Sequence, residues 1–305
     1  MPDEIAEAFA RFDAGLRPGP DDLVEAHDLR RTVLQALPAD GRVLRTVDAG
    51  SYAHGTAVRR HSLVDVMVVL AGARPRGVGR AAELLRTALP AEAVPAVVAT
   101  SRVVGGDSLV IERIGAPGIR LIPAFEAAPA GGGVGAGPSA RASSAGPSDT
   151  LWVADAAHRW VRHRPAARAV LLDRIDDDGS VRALIRLLLA WKHRQAVPVS
   201  SYYLETLAIR QALQQRSFSL LWDVCWIWEA LAADGLVPAP DPSSPSQVQA
   251  VRPAASIGRA LEAQFPIERA ASSARSAVNA FMDGDQARTA GFLEALFGPE
   301  FPALA

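Results

Sequence analysis

The chain has 305 residues and a formal net charge of −1. It is long enough for two domains or one large one, and as a whole it is not a nonspecific polyanion binder, although a local basic groove stays open. Its single cysteine, Cys225, excludes an internal disulfide and a cysteine-rich zinc site, and fits a reducing, cytoplasmic setting.

The opening MPDEIAEAFARF is acidic and amphipathic, without the basic region and apolar run of a signal peptide. No apolar segment is long enough to span a bilayer, so no membrane role is expected. Apolar residues at three- and four-residue spacing predict helices over Asp3–Ala14 and Asp21–Leu37, separated by Pro18-Gly19-Pro20. Val43–Val47 reads as a short strand running into Gly50. Leu63–Leu70 is the clearest strand, β-branched and apolar, broken by residues 71–79. Val78–Leu89 reads as a helix. Val94–Val104, Ser108–Ile114 and Gly118–Ala124 read as strands, with a turn at Gly115–Gly118. Residues 129–147 are Gly, Ala, Ser and Pro with little apolar bulk, and are expected to form a flexible loop. Beyond them the period is helical: Trp152–Arg162, Val181–Gln195, Ser201–Gln214, Ser217–Asp234, Ala255–Phe265, Glu268–Phe281 and Asp285–Phe297. The expected architecture is α/β (α+β): a mixed-sheet half over 1–128, the loop at 129–147, and a helical half over 148–305.

The segment GSYAHGT (50–56) offers chemistry. Gly50 and Ser51 can form a tight turn whose backbone N–H groups and hydroxyl face a phosphate, and Gly55-Thr56 adds a second. A glycine-rich connection alone is ordinary. Here it leads to a buried strand carrying a carboxylate. Strand alternation puts Leu63, Asp65 and Met67 on one face and Val64, Val66 and Val68 on the other.

GSYAHGT followed by Ser62-Leu-Val-Asp65 resembles the cGAS/DncV-like nucleotidyltransferases (CD-NTases), relatives of the oligoadenylate synthetases in the polymerase-β-type superfamily. The resemblance continues through Ile119-Arg-Leu-Ile-Pro-Ala-Phe125, Trp152-Val-Ala-Asp155 with His158, Leu187–Lys192 with Pro198–Glu205, and Phe297–Pro302. It implies a polymerase-β-type core followed by a helical domain that completes a nucleotide cleft. It also implies a site of three carboxylates holding two divalent metals that activate a hydroxyl and carry the triphosphate. At those three positions this sequence has Leu63, Asp65 and Arg120. Leucine supplies no hard oxygen ligand, and arginine brings a permanent positive charge. Asp65 is the one carboxylate left, so no metal is expected beyond what Asp65 alone could hold. An Asp65–Arg120 ion pair filling the metal position is the natural expectation. Asp48 and Glu112 are the acids that could substitute, and both are expected to face solvent.

The resemblance further implies nucleotide contacts from Gly50, Ser51, Lys192, Ser200 or Ser201, and Tyr202 or Tyr203, with Arg120 added by its new charge. One tyrosine of the pair is expected in the core, and Lys192 with Arg194 could equally form a solvated face. Other features have plainer explanations. The histidines lack metal-binding spacing. Asp176-Asp177-Asp178-Gly179 suits a solvated turn capping the next helix. Trp222 and Trp226 share a helix face suited to core packing. Arg159, Arg162, Arg164 and Arg168 suit a solvated helix face.

Three functions remain in play. The preferred one is a catalytically degenerate nucleotidyltransferase that acts as a nucleotide-binding or regulatory protein and needs no cofactor. The second is an active enzyme making a cyclic or linear oligonucleotide messenger from nucleoside triphosphates in antiviral defence, for which Mg2+ would be required. The third is an interaction scaffold that binds no nucleotide. The expected partner is a nucleoside triphosphate or related nucleotide, with a protein partner possible and nucleic acid disfavoured.

Overall fold

Two parallel strands anchor the architecture. β2 (Val64–Leu70) and β5 (Ile119–Glu126) pair in register from Val64–Ile119 to Val69–Ala124. They lie inside a mixed sheet ordered β1-β2-β5-β4-β3, with β1 (Val43–Ala49), β3 (Thr100–Val104) and β4 (Ser108–Glu112) antiparallel to their neighbours. The hairpin of β6 (Leu151–Ala154) and β7 (Trp160–His163) extends it through β5. This computed structural model describes residues 2–89, 100–104, 107–112, 117–127, 148–215, 217–244, 246 and 249–304. The expected loop at 129–147, and the expected strand ends at 94–99 and 113–114, lie outside the described residues.

The alternation predicted for β2 is present. Val64, Val66, Val68 and Leu70 pack with Ile119, Leu121 and Phe125 beneath α2 (Pro20–Gln35) and α4 (Val78–Ala88). Met67 and Val69 belong to a separate layer with Ala49, Ala124, Leu151 and Val153 on the opposite face. Every residue of β2 is buried, as a central strand covered on both faces requires.

The helical half comprises α5 (Pro165–Ile175), α6 (Ser180–Arg194), α7 (Ser201–Gln214), α8 (Leu220–Asp234), α9 (Ile257–Met282) and α10 (Gln286–Phe297), with a small β8–β9 ribbon (Ala239–Pro240, Ala250–Val251). Its core also takes α1 (Pro2–Leu16): Phe9 and Phe12 pack on Phe297 and Phe301, with ring centroids 5.2–6.1 Å apart. The chain's first helix is therefore held by its last residues. A short helix, α3 (Gly50–His54), lies in the connection from β1 to its neighbour β2.

Four expectations need correction. Trp152–Arg162 is the β6–β7 hairpin, turned at Asp155, whose carboxylate accepts from the N–H groups of Ala157 and Arg159. α5 follows with Pro165 at its start, where the missing N–H costs nothing, and the sequence reading left it out. α9 is one helix through Pro266 rather than two. Gly50 opens helix α3 instead of a free turn.

Candidate functional site

The β2–β5 register sets Asp65 beside Arg120. Both project from the face opposite α2 and α4. Arg120 donates from Nε to Asp65 Oδ1 at 2.8 Å and from Nη2 to Oδ2 at 2.7 Å, a bidentate ion pair. The Asp65 side chain is 7% exposed and that of Arg120 is 42% exposed. Asp65 favours the charged form of Arg120, and the guanidinium compensates a carboxylate that would otherwise be stranded in the interior. Gly50 makes the approach possible: its φ is +66°, and a Cβ there would collide with the Asp65 carboxylate.

Asp48 does not reach this point. Asp48 pairs with Val66 across β1–β2, so it lies on the opposite face from Asp65. It is 56% exposed and accepts from Arg30 at 2.6 Å. The side chain of Glu112 lies outside the described residues. No group of three or more His, Cys, Asp or Glu suited to a metal occurs among the described residues. A divalent cation does not fit the set present: one carboxylate, both oxygens engaged by a guanidinium, with a second cation close by.

That second cation is Lys192, near the end of α6 and the only lysine in the sequence. Its Nζ donates to Ser201 Oγ at 2.6 Å. Burial, and then the positive charge of Arg120, push its pKa down to about 8, while Asp65 pulls it upward. Lys192 is thus part of the Asp65–Arg120 environment and is not on a fully solvated face. Ser200 caps α7, its side chain accepting from the Tyr203 N–H. Beside Lys192, His193 stacks on His61 with centroids 5.1 Å apart, and burial, then Lys192, lowers its pKa to about 4.

The tyrosine pair divides as expected. Tyr203 is core, its hydroxyl donating to the Val237 carbonyl at 2.7 Å. Tyr202 is partly exposed, but its hydroxyl donates to Asp241 at 2.8 Å and the Arg168 guanidinium carbon lies 3.3 Å from its ring centroid. One ring face is therefore already covered.

Arg168 leads to a cluster that the sequence reading missed. It is fully buried in α5, not on a solvated face. It donates to Glu205, Thr206, Asp241 and the Tyr202 carbonyl. Glu205 in turn accepts from Thr56 Oγ1 at 2.6 Å and meets His54 Nδ1 at 3.0 Å. Burial opposes the ionisation of Glu205. His54, Arg168 and Thr56 overcome it and bring its pKa down to about 2. So the second half of GSYAHGT is a buried tie to α7 and α5, while its first half approaches Asp65. The signal in the sequence was only that Glu205 falls among the residues of α7 that are buried with Leu204, Ala208 and Ile209.

The remaining candidates are structural. Asp176 accepts from the N–H groups of Val181 and Arg182, capping α6, but is buried rather than solvated. Arg159 and Arg164 pair with Asp155 and Asp149. Trp228 is the buried tryptophan of α8, packing on Trp191 at 4.1 Å, whereas Trp226 is 37% exposed. A groove of about 600 Å³ lies between α1, the start of α6 and the start of α8, and none of the residues named above as nucleotide contacts lines it.

No protein-family model matches the sequence, and no curated protein does. Solved structures do. CdnC from E. coli MS115-1 with ATP superposes at a TM-score of 0.67, with 17% identity over 97% of this chain and 98% of that one. The CD-NTase CdnG from Bradyrhizobium diazoefficiens in complex with GTP gives 0.64, with 14% identity over 96% and 94%. DncV from Vibrio cholerae, a cyclic AMP-GMP synthase described as a prokaryotic cGAS homolog, gives 0.57, with 14% identity over 100% and 89%. The chain has the CD-NTase fold. Coverage of both chains almost end to end extends the match from the sheet to the helical half, in agreement with the resemblance read from the motifs. At this identity the likeness speaks for the fold, and the chemistry must be argued from the side chains. Among the described residues no helix is long and apolar enough to cross a membrane.

Proposed function

We propose that this chain is a nucleotide-binding or regulatory protein on a CD-NTase fold that no longer performs two-metal nucleotidyl transfer. The observation that carries the proposal is the bidentate Asp65–Arg120 pair at the positions that resemble metal ligands. Two-metal transfer needs several carboxylate oxygens free to hold cations. Here the lone carboxylate is committed, its neighbour is cationic, and Leu63 supplies nothing. What survives suits an anionic ligand: Arg120 holds Asp65 next to Gly50, and Lys192, which feels the charges of both Arg120 and Asp65, donates to Ser201. The solved neighbours include one with ATP and one with GTP, which supports a nucleotide as the ligand. Another neighbour is CdnC in complex with HORMA-deltaN, which supports the possibility of a protein partner.

The test has two arms. Purified protein is incubated with labelled nucleoside triphosphates and Mg2+ or Mn2+, and pyrophosphate release is followed; none is expected. Calorimetry with ATP and GTP then separates a binder from a scaffold. Turnover that disappears in Asp65→Ala would restore the enzyme reading, and absence of nucleotide binding under every metal condition would leave only the scaffold.

A further inference from the structure

The charge around Asp65 is unbalanced. Arg120 and Lys192 bring two cations to one buried carboxylate. Asp107 also acts on Arg120, but its carboxylate meets His158 Nδ1 at 3.2 Å. Arg120 spends Nε and Nη2 on Asp65, and among the described residues Nη1 has no hydrogen-bond partner. With 42% of that side chain exposed, the guanidinium has one edge on Asp65 and another open to a ligand. Lys192 donates to Ser201 and has donor capacity left.

We propose that this site takes the polyphosphate end of a nucleotide free of divalent metal, with Arg120 and Lys192 as built-in cations and Asp65 as the specificity-determining group that competes for Arg120. The inference rests on the nucleotide-binding function proposed above. A metal-free triphosphate carries about twice the negative charge of its magnesium chelate, so fixed cations gain more from it. A chelated magnesium ion would instead approach two positive groups and a carboxylate whose oxygens are both occupied. Arg120 thus substitutes for the cation that the fold would otherwise recruit from solution, and Asp65 sets how much of its charge is available. Magnesium should therefore act as a competitor for the ligand.

The experiment is calorimetric titration of ATP, and separately of inorganic tripolyphosphate, into the wild-type protein in EDTA and in excess Mg2+. Asp65→Asn and Arg120→Gln are titrated alongside, with circular dichroism confirming their folds. Binding of both ligands is expected in EDTA, weakened about tenfold or more by Mg2+. Asp65→Asn should tighten the EDTA affinity about tenfold by releasing the guanidinium, and Arg120→Gln should lose about as much. Binding strengthened by Mg2+ would overturn the inference and leave nucleotide binding standing, whereas no binding with or without Mg2+ would fail the proposed function itself. The magnesium comparison uses wild-type protein, so the inference stays falsifiable if a variant fails to fold. Should ATP bind and tripolyphosphate not, the polyphosphate end is not the recognised group and the inference falls.

Discussion

Replacing Glu205 by glutamine removes a negative charge from a site where it is held by Arg168, His54 and Thr56. The folded pKa of Glu205 is about 2, against an ordinary value of 4.5. At 1.36 kcal/mol per unit, that difference corresponds to about 3 kcal/mol of stability. Breaking a buried pair by removing one partner costs a similar amount, about 3–5 kcal/mol. The sign follows from the depressed folded value. The contribution is fully present above the unfolded pKa near 4.5 and is lost as pH falls through about 2. Urea denaturation of wild type and Glu205→Gln should therefore differ by about 3 kcal/mol at pH 7, with a gap that closes progressively below about pH 4.5. Because His54 belongs to the GSYAHGT segment and Arg168 to α5, nucleotide affinity should fall in the variant as well. A gap under about 1 kcal/mol at neutral pH, or one that widens in acid, would refute the assignment of Glu205 as an ionised, paired carboxylate.

The sole lysine permits a direct reading of the site. Reductive methylation with ¹³C-formaldehyde labels one side chain, Lys192, besides the chain's amino terminus. Its resonance should titrate near 8, move up in Arg120→Gln as a like charge is removed, and move down in Asp65→Asn. A value near 10.5 in wild type would separate Lys192 from the ion pair. Gly50→Ala should cost about 2–3 kcal/mol by denaturation, because alanine at φ +66° is strained and its Cβ would displace Asp65. An unchanged midpoint would show that the Gly50–Asp65 approach is loose. Arg120→Gln and Asp65→Asn, alone and combined, should show a coupling of about 1–2 kcal/mol in a double-mutant cycle, discounted from a fully buried pair because Arg120 is 42% exposed. Additive effects would place the two residues apart.

The parts legible in the sequence were those set by local periodicity. β2 alternates between two packing layers, so Asp65 could be assigned a face, whereas the expectation that Arg120 lies on the neighbouring strand came from the family resemblance and not from periodicity. The hairpin was misread because Trp152, Val153, Ala156, Ala157, Trp160 and Val161 also fall at helical spacing, and the turn at Asp155–His158 contains no glycine or proline. Pro266 looked like a boundary, yet α9 passes through it because a helix can forgo one backbone hydrogen bond when its packing elsewhere is sufficient. Arg168 could not be assigned from its neighbours in sequence. Its partners Glu205, Thr206 and Asp241 come from distant segments, and only tertiary structure brings two acids to one arginine.

The most direct test of the account is titration of wild-type protein with ATP in EDTA, followed by addition of Mg2+ and measurement of released pyrophosphate in the same sample. Saturable binding without metal and no pyrophosphate after Mg2+ is added are expected. Binding that appears only with Mg2+, accompanied by pyrophosphate release, would contradict it.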